Sequence, residues 1–130
     1  MPSYMEALSP TRDADVVVLA CPSTAETRAL FGSLDALMAL REDVALVNVA
    51  RGELVDERHV ASWLEARPRA RYATDVTTPE PYPNDGLLRR TPRVWITPHV
   101  GGRGPDVRGR LEARALERVR ALAASLGARP

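Results

Sequence analysis

Arg51, Glu80 and His99 each follow a short apolar run, within Asn48-Val49-Ala50-Arg51-Gly52, Asp75-Val76-Thr77-Thr78-Pro79-Glu80-Pro81 and Thr97-Pro98-His99-Val100-Gly101-Gly102. A guanidinium offers a planar fork that matches a carboxylate bidentately and never loses its charge. An imidazole, with a free pKa of about 6.5, gives and takes a proton at neutral pH. A carboxylate beside it holds its tautomer. Together, at successive strand ends, these groups are what acid/base chemistry on a 2-keto or 2-hydroxy acid requires. Gly52 is expected to turn the chain with positive φ and so expose Arg51. Gly101-Gly102 is expected to let a ligand or a partner backbone come close. Each motif alone is weak, because Arg-Gly after a strand is usually a turn and a glutamate between prolines is usually a solvated loop residue. Three of them in order carry the argument.

The elements that must position these residues alternate between strand and helix patterns. Val16-Val17-Val18-Leu19-Ala20 is a continuous apolar run, of the kind found in strands covered on both faces. Ser23-Thr24-Ala25-Glu26 has capping-box spacing and opens a helical pattern through Leu30, Phe31, Leu34, Leu37 and Met38, with a break near Gly32-Ser33. Val44 to Val49 reads as the second strand. Asp56 then caps a helix through Val60, Trp63 and Leu64 that stops before Pro68. Arg71 to Asp75 is a shorter third strand, and Thr77 to Asn84, with its prolines, is loop. Val94 to Thr97 is the fourth strand. Arg108 to Leu126 is an amphipathic helix with Leu111, Ala115, Leu116, Val119 and Leu122 on one stripe. This order predicts an α/β fold: one domain, about four parallel strands, right-handed crossovers and helices on both faces. Ligands of such sheets bind beyond the carboxyl ends of the strands. Pro22, Arg51, Asp75 and His99 therefore share one rim, and Glu80 lies in the loop leaving the third strand.

Composition narrows the choice of partners. A formal net charge of +1 gives no reason to expect nucleic acid or an anionic membrane surface. All 18 basic residues are arginine, which codon bias explains more simply than a binding surface does. Cys21 is the only cysteine, which rules out an intrachain disulfide and argues against structural zinc. It reads as a small buried hydrophobe, and no metal site is expected. His59, between charged neighbours, reads as solvent-exposed and without a role. Met1-Pro2-Ser3-Tyr4-Met5-Glu6 lacks the regions of a secretory signal, and no apolar run approaches the ~20 residues that span a bilayer. The expected compartment is the cytoplasm.

Taken together, Ala14 through Thr27, Val47 through Glu57, Asp75 through Pro83 and Ile96 through Gly102 resemble one family. It is the D-isomer-specific 2-hydroxyacid dehydrogenases, in the C-terminal half of their nucleotide-binding domain, and the resemblance runs from about Asp13 to Leu126. It implies a partial Rossmann-like domain over residues 1–130, NAD or NADP as cofactor, and a small 2-keto or 2-hydroxy acid as substrate. It implies that Arg51 binds the substrate carboxylate and polarises the carbonyl, that His99 exchanges a proton with the carbonyl oxygen, and that Glu80 pairs with His99. Pro22, Thr24, Ala50, Asp75 and Gly101 would border the cofactor, with Asp75 beside the nicotinamide. Thr74 and Thr77 depart from the family, standing where apolar residues are usual. Arg67-Pro68-Arg69-Ala70-Arg71 replaces a glycine-containing approach to the third strand.

No glycine-rich phosphate loop, ribose-holding acidic residue or substrate domain is read ahead of Val16. The expectation is the catalytic half of an oxidoreductase, not active alone. The alternative is a non-catalytic interaction or regulatory module of the same ancestry, and a third reading is a carboxylate binder built on Arg51. Strand 16–20 would leave a bare apolar edge, so a homodimer or a complementary chain is expected there, and a charge at Val17 is expected to break it.

Overall fold

The computed structural model describes residues 11–29 and 31–127, which fall into two compact units divided between Pro98 and His99. Leu30, placed in a helical stripe by its spacing, lies outside the described residues.

In the first unit, strands β1 (Val16–Leu19), β2 (Ala45–Asn48), β3 (Arg71–Thr74) and β4 (Val94–Ile96) form one parallel sheet in chain order. A 3-10 turn (Thr27–Ala29) and helix α1 (Leu34–Met38) connect β1 to β2. A second 3-10 turn (Gly52–Leu54) and α2 (Glu57–Ala66) lead to β3, and α3 (Leu87–Arg90) leads to β4. The α/β class and the four-stranded parallel sheet are those the sequence pattern predicts.

When each crossover joins neighbouring strands and is right-handed, all crossovers stack on the same face. Burial follows that rule. Val17, Leu19, Leu46, Tyr72, Asn48 and Thr74 are buried, and the apolar ones among them join one core with Leu37, Val60, Trp63, Leu64 and Leu88 from the three helices. The intervening Val16, Val18 and Trp95 are 55%, 55% and 56% exposed. The Val16–Leu19 run is therefore covered on one face, not on both as its continuous apolar character suggested. Its β-branched residues suit an extended backbone whichever way they point. Val17 faces the core, so a charge there would break the fold before it broke an association.

Local chemistry sets the element ends. Asp56 caps α2 as expected, its Oδ1 accepting the Arg58 N–H at 2.8 Å. Ser33 caps α1, accepting the Ala36 N–H at 3.2 Å. The reciprocal box expected at Ser23 and Glu26 falls one residue later: Thr24 N–H donates to Thr27 Oγ1 (2.7 Å) and Thr27 N–H to Thr24 Oγ1 (3.2 Å). Only a single 3-10 turn follows, because Phe31 leaves the helical path to make a parallel bridge with Val55. His59 is half-buried and not idle, since its Nδ1 donates to the Gly32 carbonyl at 2.5 Å and so ties α2 to the turn before α1. Cys21 is half-buried and packs against the core.

The second unit consists of the His99 turn and α4 (Pro105–Gly127). Leu111, Leu116, Val119 and Leu122 on its stripe are 61%, 52%, 63% and 60% exposed.

Candidate active site

The register of the sheet fixes where its loops begin. Leu19 pairs with Asn48, Asn48 with Thr74, and Thr74 with Ile96, so all four strands end in one row. The chain leaving that row carries Pro22 and Thr24 after β1, Ala50 and Arg51 after β2, and Asp75 and Glu80 after β3. Three strand pairings thus place six of the candidate residues at the same end of the first unit. His99 follows Ile96 by three positions and opens the second unit; it is exposed, with φ 53°. Gly101 lies in the same exposed turn.

Side chains then tie these loops to one another. Asn48 is fully buried, and its amide spans the turn that carries Arg51: Oδ1 accepts the Ala50 N–H (3.1 Å) and Nδ2 donates to the Arg51 carbonyl (2.9 Å). The Asn48 carbonyl accepts the Asp75 N–H at 3.0 Å, which anchors the start of the third loop. Thr74, 3% exposed, has its hydroxyl satisfied by the Val76 N–H (3.2 Å) and by the carbonyls of Val76 (2.5 Å) and Asn48 (3.3 Å). A threonine where an apolar residue was anticipated therefore sits without an orphaned polar group. Burial pushes the Tyr72 phenol above its ordinary range, against an opposing effect of hydrogen bonds with Thr74 and Asn48.

Gly52 works differently from what its place after Arg51 suggested. No described glycine has positive φ. A Cβ at Gly52 would lie within 2.6 Å of Thr77 O and 2.6 Å of Thr78 Oγ1, and closer still to the Thr77 carbonyl carbon. The glycine is needed because the Arg51 turn and the Glu80 loop touch backbone to backbone. The Ser23 hydroxyl donates to Glu53 Oε1, which draws the Pro22–Thr24 segment to the same turn.

Arg51 is exposed, and its Nη1 donates to its own Ala50 carbonyl at 2.6 Å. Glu80 is exposed, and its Oε1 accepts the Thr77 N–H at 2.9 Å. Asp75 is half-buried, and its Oδ1 accepts the Thr97 hydroxyl at 2.5 Å. Pro22 is exposed, its carbonyl accepting the Thr27 hydroxyl at 2.6 Å, while Thr24 is half-buried and Ala50 is 7% exposed.

The loop bearing Glu80 has its own anchor. Tyr82, 8% exposed, donates its hydroxyl to Glu57 Oε2 at the start of α2 and accepts the Leu88 N–H at 3.0 Å. Gly86 lies close against the ring, where a Cβ would come within 2.6 Å of Cζ, and the Arg89 guanidinium sits 5.8 Å from the ring centroid. Burial, and then the bond to Glu57, raise the Tyr82 phenol above its ordinary range. Asn48, Glu57 and Tyr82 were not singled out from the sequence. The signal for Asn48 was a polar residue closing an otherwise apolar strand run.

The family model for the NAD-binding domain of D-isomer specific 2-hydroxyacid dehydrogenases matches residues 3–101. Formate dehydrogenase from Pseudomonas sp. (strain 101) is 40% identical over 88 residues, which are 68% of this chain and 22% of that protein. The solved phosphoglycerate dehydrogenase of Lactobacillus plantarum superimposes with a TM-score of 0.71 at 31% identity, covering 81% of this chain and 34% of that one. NAD-dependent formate dehydrogenase from Staphylococcus aureus, solved with NAD, gives 0.67 at 33% identity, covering 82% and 33%. The chain spans about a fifth to a third of the curated relatives it matches. The chain belongs to the NAD-binding domain family of the D-isomer specific 2-hydroxyacid dehydrogenases.

Proposed function

We propose that this chain is the catalytic half of an NAD(P)-dependent D-2-hydroxyacid dehydrogenase, cytoplasmic, acting on a small 2-keto or 2-hydroxy acid together with further polypeptide. The reading takes residues 1–130 as parts of one nucleotide-binding domain. The observation that carries it is the shared row Leu19, Asn48, Thr74 and Ile96, which sends Arg51, Asp75 and the Glu80 loop out from one end of the sheet. No helix among the described residues is long and apolar enough to cross a membrane.

The residues at this end fit the nicotinamide end of the cofactor. The half-buried Asp75 carboxylate offers acceptors of the kind a carboxamide NH2 requires, and the Pro22–Thr24 and Ala50 segments leave the neighbouring strand ends. Bound beside Asp75 and the Pro22–Thr24 and Ala50 segments, a nicotinamide would supply hydride chemistry to the substrate's carbonyl carbon in either direction. Arg51 leaves its own Ala50 carbonyl and takes the substrate carboxylate in its guanidinium fork, which orients the carbonyl. His99 gives a ring-nitrogen proton to the carbonyl oxygen in reduction and takes it from the hydroxyl in oxidation. Glu80 is the carboxylate assigned to fix the tautomer of His99.

NADH and NADPH oxidation with glyoxylate, pyruvate and hydroxypyruvate tests the reading, with and without a polypeptide carrying a glycine-rich phosphate loop. Turnover abolished by Arg51→Ala and by His99→Ala supports it. No turnover in any mixture, with no nucleotide bound at millimolar concentration, would overturn it and favour the non-catalytic module. The exposed Val16, Val18 and Trp95 are the observation on the side of that second reading, because they present apolar surface of the kind that marks interfaces.

Either reading gives β1 a partner, a second copy or a complementary chain, since β1 is an edge of the sheet. Sedimentation of the chain, alone and as Val18→Lys, tests it. A monomer at high concentration that also ignores the complementary chain sinks the idea.

A further inference from the structure

We propose that Asn48 is a positioning residue for the Arg51 guanidinium, holding the carboxylate-binding cation in place from inside the core. This rests on the substrate role proposed for Arg51 and names what sets its aim. The side-chain amide of Asn48 bonds the Ala50 N–H at 3.1 Å and the Arg51 carbonyl at 2.9 Å. The first belongs to the peptide before Ala50, the second to the peptide after Arg51. The Ala50–Arg51 peptide and the Arg51 Cα lie between two fixed points. Arg51 itself is exposed and its backbone is extended, with φ −147° and ψ 144°; beyond the Asn48 amide, its carbonyl accepts only the Leu54 N–H of the 3-10 turn it caps, at 3.2 Å. The amide that does the holding is fully buried and takes its own support from the sheet, where Asn48 pairs with Leu19 and Thr74. A buried amide using both its ends in one turn is a rigid connection, because breaking either bond leaves a buried polar group unpaired.

Aspartate distinguishes donor from acceptor at this position. Its ionised form accepts the Ala50 N–H but faces the Arg51 carbonyl with a second acceptor, whereas its protonated form donates to that carbonyl. The experiment is amide exchange and 15N relaxation on the whole chain, read at residues 49–52 and at the Arg51 Nε–H. Wild type and Asn48→Asp are compared across pH, with glyoxylate as the carboxylate probe.

In wild type the Ala50 amide should exchange as slowly as that of Val49, which bonds the Leu19 carbonyl at 3.1 Å. In Asn48→Asp the amides of residues 50–52 should exchange about 10-fold faster or more at alkaline pH. Protection and glyoxylate affinity should recover together on acidification, which wild type does not need. Thr74 and Asp75 amides should change little. Ala50 exchanging 100-fold faster than Val49 in wild type would overturn the proposal, and that measurement stands even if the variant fails to fold. So would an Asn48→Asp chain indistinguishable from wild type at every pH. A wild type with a protected Ala50 amide but no Arg51 response to glyoxylate supports the clasp while counting against the substrate role of Arg51.

Discussion

The two faces of the sheet are made from the same strands and have opposite fates. On one, Val17, Leu19, Leu46 and Tyr72 meet three helices and lose nearly all contact with solvent. On the other, the register row Val18, Val47, Ala73 and Trp95 runs across all four strands, with Val18 and Trp95 more than half exposed. The apolar character of a residue states what it can bury, while the direction of the crossovers decides what it does bury. Stability in the first unit should therefore depend strongly on one face and hardly at all on the other, and the loops at the carboxyl ends should inherit their order from the buried one.

The largest effect is expected at the centre of the covered face. Trp63, with no exposed surface, is the largest fully buried side chain among the described residues and belongs to the core cluster. Trp63→Ala should cost roughly 3–5 kcal/mol, read as a shift in a urea midpoint, and leave little folded protein. Gly52→Ala comes next. Its new methyl would meet the Thr77 backbone, which cannot rotate away, so a loss of about 1–3 kcal/mol is expected. The structural signature would be amide shifts confined to residues 50–54 and 76–80. If Gly52→Ala matches wild type in stability, the two loops do not touch as described.

Tyr82→Phe should cost about 1 kcal/mol by removing the hydroxyl from Glu57 and the Leu88 N–H while keeping the ring. It also has a pH signature shared with Tyr72. Both phenols are raised above their ordinary value, so folding favours their neutral forms. That contribution is complete below pH ~10 and is lost as pH rises through the folded-state values. Stability of the wild type should fall on the alkaline side, and Tyr72→Phe with Tyr82→Phe should flatten that limb. A limb unchanged in the double variant would remove the tyrosines from the account. The smallest effect is expected on the open face, where Val18→Thr should change stability by no more than about 0.5 kcal/mol. A cost comparable to that of Leu46→Ala would mean that Val18 is covered, and the contrast between the faces would be lost.

The strands and α2 were legible because their signals are local: a β-branched run, a capping aspartate, a proline beyond the helix end. The common row of strand ends was legible too, since parallel strands of similar length end together. What could not be read was anything set by contacts between distant segments. Gly52 looked like a turn glycine, but its requirement comes from Thr77 and Thr78, which reach it only after β3 has paired with β2. His59 looked idle because its acceptor, the Gly32 carbonyl, comes from the preceding crossover. Helix α3 escaped notice since it is a single turn with no side-chain cap, held by Tyr82 and the Leu88 N–H. Thr74 looked out of place only until the carbonyls around its hydroxyl were known.

The order of the strands has a consequence for how the sheet can be assembled. Each strand pairs with the one made just before it, and successive partners lie roughly 25 residues apart along the chain, a modest separation for parallel strands. As the polypeptide emerges during synthesis, β2 finds β1 waiting, β3 finds β2, and β4 finds β3. No strand has to be threaded between two that already exist, and each docking step closes a loop of similar, limited length. Assembly can thus proceed like a row extended from one end, with every intermediate a narrower version of the finished sheet.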